Sequence, residues 1–264
     1  MGPSVYADHP FKIMPTPTYL KSLDPNGGQP DMFDDLASEM ALVHNAVIRG
    51  LNSIYLQAPH ILPADETSFL SYIHNWSNVL HIHHKGEETD LFPAVEKMAG
   101  EPGIMATNSE QHHTFETVVE SLKKYVDAVS EGREKYSGTK VIELVDGFGE
   151  ILAQHLEDEI QTLLALRKHG EKMTDLMTVV AKEAAKGMKE VGTAGLVWVW
   201  ANIDSEFEDG RWTDWPPAPG PVRFLVSNVF WRFYGGMAKF GAVDRHGRMK
   251  PLYALGKGTQ GEKQ

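Results

Sequence analysis

Apolar side chains recur every three to four residues through most of the chain's first two thirds, the period of helices with one face turned inward. From Asp31 to about Ala58, Phe33, Met40, Val47, Leu51 and Ile54 share one stripe, and Pro59 and Pro63 then mark a short turn. Asp65 is placed to cap a second helix running to about Met98, which the segment AGEPG ends. A third helix is predicted over roughly Met105 to Glu131 and, after the turn GREKYSG, a fourth from about Thr139 to Lys168. Short connections favour antiparallel neighbours, so the pattern predicts an all-α, up-down-up-down four-helix bundle over residues 31–168. Residues 1–30, rich in Pro and Gly, read as an irregular arm. A further amphipathic helix carries Met173, Leu176, Met177, Val180 and Ala184 on one face and is expected to pack on the bundle. From Gly192 the character changes. Five of the six tryptophans (Trp198, Trp200, Trp212, Trp215 and Trp231) and the run WPPAPGP lie there. This is too aromatic for disorder and reads as an ordered, largely irregular extension with short helices, packed on the bundle, so that residues 169–256 form one region and 257–264 a flexible tail.

The polar exceptions on the apolar stripes carry the chemistry. On the first helix His44 is the one polar member of the stripe through residues 33, 36/37, 40, 44, 47, 51 and 54. On the fourth, Val141, Leu144, Phe148, Ile151, His155, Glu159 and Leu163 share a face. The second helix offers two registers. Tyr72, Trp76, Leu80, His83, Glu87, Leu91 and Ala94 make the cleaner one, whereas Ile73, Ser77, Leu80, His84, Glu88 and Leu91 make an acceptable second. The stripe through His74 and His81 includes Asn78, Lys85 and Glu88 and reads as solvated. On the third helix His112 aligns with Met105, Val119, Leu122 and Val126, and His113 is expected to face water. Glu116, one turn after His112, sits at the margin of the stripe and is a candidate further ligand.

Any one of these histidines alone reads as a hydrogen-bonded core residue. Four of them, one per helix, two followed by a carboxylate one turn on, point to cations inside the bundle. Residues four apart on a helix are neighbours and can face one ion. A buried carboxylate costs several kcal/mol unless it is paired or bound to a cation.

Composition narrows the ligand chemistry. The chain has no cysteine, which excludes disulfides, thiolate sites, iron–sulfur clusters and Cys nucleophiles, and leaves imidazole and carboxylate as ligands. A net charge of −11 lacks the basic footprint of a nucleic-acid partner. The N-terminus has no continuous apolar core of a secretory signal, and the most hydrophobic stretch, residues 224–243, contains Asn228, Arg232 and Lys239. A cytoplasmic protein without a membrane partner is the expectation.

The run from His83 to Pro93, HHKGEETDLFP, resembles the H-x-x-x-E-E-x-x-L-F-P signature of the hemerythrin-like, or HHE cation-binding, family. LVHNAVIRGL at 42–51, EQHHTF at 110–115 and QHLEDEIQTLLAL at 154–166 resemble its other helices, and the aromatic extension is similar to that of fungal members. The resemblance implies a non-heme di-iron centre held by His44, His83, Glu87, His112, His155 and Glu159, and selects the register of His83. Two departures weigh against reversible oxygen carriage. Oxygen carriers place a histidine where this chain has Glu116, and their last carboxylate follows its histidine by five residues rather than four. Iron, or iron with manganese, suits the ligands, and zinc also fits their type. The expected function is dioxygen chemistry at two metal ions, leaning to an oxidoreductase acting on a small organic substrate. The alternative is a protein that binds or senses dioxygen, nitric oxide or metal without catalysis. The tryptophans of the extension would either wall a substrate pocket or cover an apolar face.

Overall fold

The computed structural model describes residues 4–256, so the expected flexible tail, residues 257–264, lies outside the described residues. After a short helix α1 (Pro17–Leu23), α2 (Met32–Gln57) opens on a reciprocal cap: Asp31 accepts from the Phe33 and Asp34 amides while the Asp34 carboxylate accepts from the Asp31 amide. Helix α3 (Glu66–Gly86) continues through a π-helical turn (Glu87–Leu91) into α4 (Phe92–Ala99). The wide turn has a local cause. Pro93 has no amide hydrogen, and its ring would crowd the carbonyl four residues back in a regular helix. Asp65 precedes α3 but makes no side-chain cap; Lys239 of the extension donates to it at 2.5 Å.

Helix α5 (Ala106–Ser130) follows, and the fourth bundle helix is interrupted. It forms as α6 (Gly138–Asp146) and α7 (Gly149–Ala165), followed by 3-10 turns over Leu166–Met173 that kink at Gly170, φ 55°. The single helix expected from Thr139 to Lys168 breaks because Gly147 and Gly149 hold helix poorly and Phe148 turns fully inward to stack on Trp76, centroids 5.7 Å apart. Beyond the break the inward face shifts to Leu152, His155, Leu156 and Glu159, and Ile151 is exposed. Helix α2 packs on α3 and α7, α3 on α5, and α5 on α7, which closes the ring of four antiparallel neighbours.

Helix α8 (Leu176–Glu190) lies against α3 and the π-turn. The extension contributes α9 (Gly192–Trp200), α10 (Phe207–Gly210), α11 (Gly220–Phe224), a π-helical segment (Leu225–Phe230) and α12 (Trp231–Ala238). Short helices joined by irregular segments thus make up the extension, and within α10 Glu208 and Asp209 take left-handed φ of 51° and 60°. No helix among the described residues is long and apolar enough to cross a membrane.

The arm and the extension are built into the core. The Asn52 amide accepts from the Phe11 N–H and donates to the Ala7 and Phe11 carbonyls, and Asn45 brackets Met14 in the same way. Trp198 is fully buried over Gly50, where an added Cβ would stand 2.3 Å from its ring and 2.8 Å from that of Trp76. Gly50→Ala should therefore destabilise the protein by about 1–3 kcal/mol through overpacking, although Ala is the better helix former. A thermal melt within 1 °C of the parent would show that the ring is not wedged there.

Candidate metal centre

The inward histidines of the bundle come together, and for three of them the tautomer is set by what the outer nitrogen touches. His44 Nδ1 lies 3.0 Å from the Leu156 carbonyl, which can only accept, so the hydrogen is on Nδ1 and Nε2 carries a lone pair. His155 Nδ1 is 3.0 Å from Gln111 Oε1, and the Gln111 amide nitrogen donates to Asp158 at 3.0 Å. His112 Nδ1 is 2.7 Å from Glu88 Oε1, whose other oxygen accepts from Ser109 Oγ. Both of these rings also turn a lone pair inward.

The lone pairs of His112 and His155 are set against each other, Nε2 to Nε2 at 3.0 Å. Two acceptors that close repel unless a proton or a cation stands between them. The lone pair of His44 Nε2 faces His83 Nε2 at 3.1 Å. Protonation is opposed by the surroundings. Burial, reinforced by the neighbouring imidazoles, pushes His83 and His84 well below the ordinary histidine value and takes His155 down to about 2. Burial also lowers His112, against the pull of Glu88.

Two groups of side chains are compact enough to hold an ion: His44, His83, Glu87 and Glu159, and beside them His84, His112 and His155. The carboxylates join the groups. Glu87 Oε1 is 3.1 Å from His83 Nε2 and its Oε2 3.4 Å from His112 Nε2. Glu159 Oε2 is 3.4 Å from His44 Nε2 and 4.0 Å from His155 Nε2. Glu87 and Glu159 are 1% and 0% exposed, and none of their four oxygens has a hydrogen-bond partner. Burial and the facing Glu159 carboxylate push Glu87 well above the ordinary carboxylate value. Imidazoles turned inward as acceptors, held from outside by a carbonyl, an amide and a carboxylate, are the arrangement of metal-ligating histidines.

The six residues His44, His83, Glu87, His112, His155 and Glu159 are thus brought together. Glu116 is not among them. Its side chain is 64% exposed and lies 3.8 Å from His113 Nδ1. The inward position one turn after His112 belongs to Phe115, whose ring stands 5.3 Å from those of His84 and His155. His84, set aside in choosing a single register, faces inward as well and stacks on His112 at 4.2 Å. Helix α3 has two bundle neighbours, α2 and α5, so two adjacent stripes point inside. Glu88 belonged to the second register of that helix, whereas Gln111 and Asp158 had no sequence signal beyond their closeness to the ligand positions.

The tryptophans of the extension hold other places. Trp198 packs on Tyr72, Trp212 donates to Glu208 and Trp215 to Glu39. Tyr72 precedes His83 by eleven residues on α3, a rise of about 16 Å, and Gly50 follows His44 by six on α2, a rise of about 9 Å, so Trp198 packs on the bundle away from the level of the histidines.

Residues 35–166 match the family described as Hemerythrin HHE cation binding domain. Over 220 residues, 82% of each chain, the sequence is 33% identical to the "Dimeric xanthone biosynthesis cluster protein R11" of Cryptosporiopsis sp. (strain 8999). No solved structure matches.

Proposed function

The chain belongs to the hemerythrin HHE cation-binding domain family, and from that premise we propose that it is a non-heme di-iron protein whose work is dioxygen chemistry on a small organic substrate. The observation that carries the two-ion reading is the placement of Glu87 and Glu159, each facing a histidine of both groups. His44, His83 and the two carboxylates would hold one ion, and His84, His112 and His155, with the same carboxylates at their edge, the other. Oxygen and nitrogen donors without sulfur suit iron or manganese. Iron bound there would supply redox chemistry and an open position for dioxygen.

The chain's own residues set the conditions. Leu156, Gln111 and Glu88 fix the rings of His44, His155 and His112 by holding their outer nitrogens. Phe92, stacked on His112, and Phe115, against His155, keep bulk water away. A dry site strengthens every charge interaction within it. The relative's place in a dimeric xanthone biosynthesis cluster supports an organic substrate rather than storage of metal. A second reading, binding of dioxygen or nitric oxide without turnover, is favoured by the enclosure of His44, Glu87, His155 and Glu159, all at most 1% exposed.

Metal analysis of the purified protein tests the centre. Wild type should carry close to two iron ions per chain. Glu87→Ala, which removes a carboxylate common to both groups, should lose most of both. His44→Ala and His84→Ala should each lose about one, and Glu116→Ala none. A wild type with less than one ion, or a Glu116→Ala protein as depleted as Glu87→Ala, would reject the assignment. Consumption of dioxygen with formation of an oxidised product then separates catalysis from binding.

A further inference from the structure

Helix α8 lies outside the matched residues 35–166, yet it brings a carboxylate against Gly86, the residue before Glu87. Two ion pairs pin it to the second bundle helix on either side of Gly86: Lys85 to Glu190 at 2.5 Å, and Lys186 to Asp90 at 2.6 Å. Between them Glu183 sits in the space that a side chain at position 86 would fill, since a Cβ added to Gly86 would be 2.1 Å from Glu183 Oε1. The carboxylate lines a small cleft with Ile82, Gly86 and Thr89.

Gly86 directly precedes Glu87, and the four carboxylate oxygens of Glu87 and Glu159 are buried with no hydrogen bond to satisfy them. Glu183 acts electrostatically on Glu87, and Glu159 on Glu183. Two cations line the cleft with Glu183, and both are engaged elsewhere, Lys186 by Asp90 and Lys85 by Glu190. Around them the carboxylates of Glu87, Asp90, Glu159, Glu183 and Glu190 outnumber these two lysines.

We propose that Glu183 is a third carboxylate of the centre, seated over Gly86 from a helix outside the domain, whose charge strengthens the hold on the cation bound by His44, His83, Glu87 and Glu159. The proposal rests on the reading of these residues as a metal site. Glu183 acts across the Gly86 gap as a positioning charge.

The test is an anaerobic titration of the full-length metal-free protein with iron(II) against a chromophoric chelator, paired with thermal melts of the metal-free forms. Glu183→Gln keeps the size of the side chain and removes its charge. Its iron affinity should fall about tenfold, the scale of one charge acting on a divalent ion across a partly screened gap. Its metal-free form should melt at or above the wild-type temperature, because a repulsion with Glu87 and Glu159 is gone. A merely structural role would lower that melting temperature instead. Glu190→Gln, on the same helix and paired to Lys85, should leave iron affinity unchanged. Glu183→Gln affinity within twofold of wild type, or a loss accompanied by a lower metal-free melting temperature, would overturn the proposal alone. Wild-type protein that takes up no iron would overturn the metal reading, and the proposal with it.

Discussion

Stripped of metal by a strong chelator, the protein is expected to melt on the order of 10 °C lower than when loaded, with the gap widening above pH 7. The size follows from mass action. A ligand bound only by the folded state and present at about a thousand times its dissociation constant contributes about 4 kcal/mol. The pH dependence follows from the buried groups. His83, His84, His112 and His155 are held below the ordinary histidine value, so below about pH 6.5 the unfolded chain binds protons that the fold does not. Their contribution to stability rises as pH climbs towards 6.5 and is then complete. Glu87 and Glu183 run the other way. Each is raised above the ordinary carboxylate value, Glu183 to about 7, so the fold keeps a proton that the unfolded chain has lost. Their contribution falls from about pH 4.5 up to the raised value. Below pH 6.5 four imidazoles outweigh two carboxylates at roughly 1.4 kcal/mol per proton per pH unit. Above it the carboxylates act alone. Metal-free protein should therefore be most stable near pH 6.5 and weaken on either side, whereas bound cations satisfy Glu87 and remove the decline at high pH. Calorimetry of both forms at pH 5, 6.5 and 8 reads this directly. Equal melting temperatures at pH 8, or metal-free stability that keeps rising from pH 6.5 to 8, would place the cation outside the core.

The helices and most of the candidate centre were legible because both are written at the helical period. His44 and the pair His155–Glu159 stand out where their stripes are otherwise apolar, and Asp31 with Asp34 marks a helix start by local chemistry alone. Long-range packing hid the rest. The break before Gly149 answers to Trp76, which stacks on Phe148, and to Phe11, which fills the place of a Cβ at Gly149. Choosing between His83 and His84 assumes a helix with one inward stripe, whereas α3 sits between two neighbours and turns both rings inward, His83 buried and His84 half-buried. Glu116 lies four residues from His112, but the helix turns Phe115 inward at that level. Asn45 and Asn52, seven apart on a buried helix, were a usable signal for a chain segment lying alongside. Glu183 left none, because the gap that admits it belongs to Gly86, nearly a hundred residues earlier.

A chain ending at Gly192 is expected to give little soluble folded protein, since the extension completes the core. Its removal takes away Trp198 and Phe240, both fully buried, together with Val197, Val199, Ala201 and Ile203. The two aromatic rings are worth roughly 2–3 kcal/mol each on burial, and the aliphatic residues add to them. That total reaches the roughly 5–15 kcal/mol by which a folded protein exceeds its unfolded state. Polar partners go as well. Tyr72 loses Asn202, to which its hydroxyl donates at 2.7 Å; Ser53 loses the Phe240 carbonyl; and Gln57 loses that carbonyl and the Ala254 amide. Phe69, Tyr72 and Trp76 would be left facing water as one apolar patch, which favours aggregation. Trp198→Ala is the milder form of the same experiment and should cost about 3–5 kcal/mol. Because Trp198 meets α3 about 16 Å from His83, this variant should melt far lower yet still bind iron close to the wild-type ratio at low temperature. The two readouts separate the roles open to the extension. A wall of the reaction site would change the centre before it changed the fold, whereas a cover packed away from the histidines changes the fold first. Soluble truncated protein melting within a few degrees of the full chain would contradict the second role, and iron loss in Trp198→Ala without loss of stability would support the first.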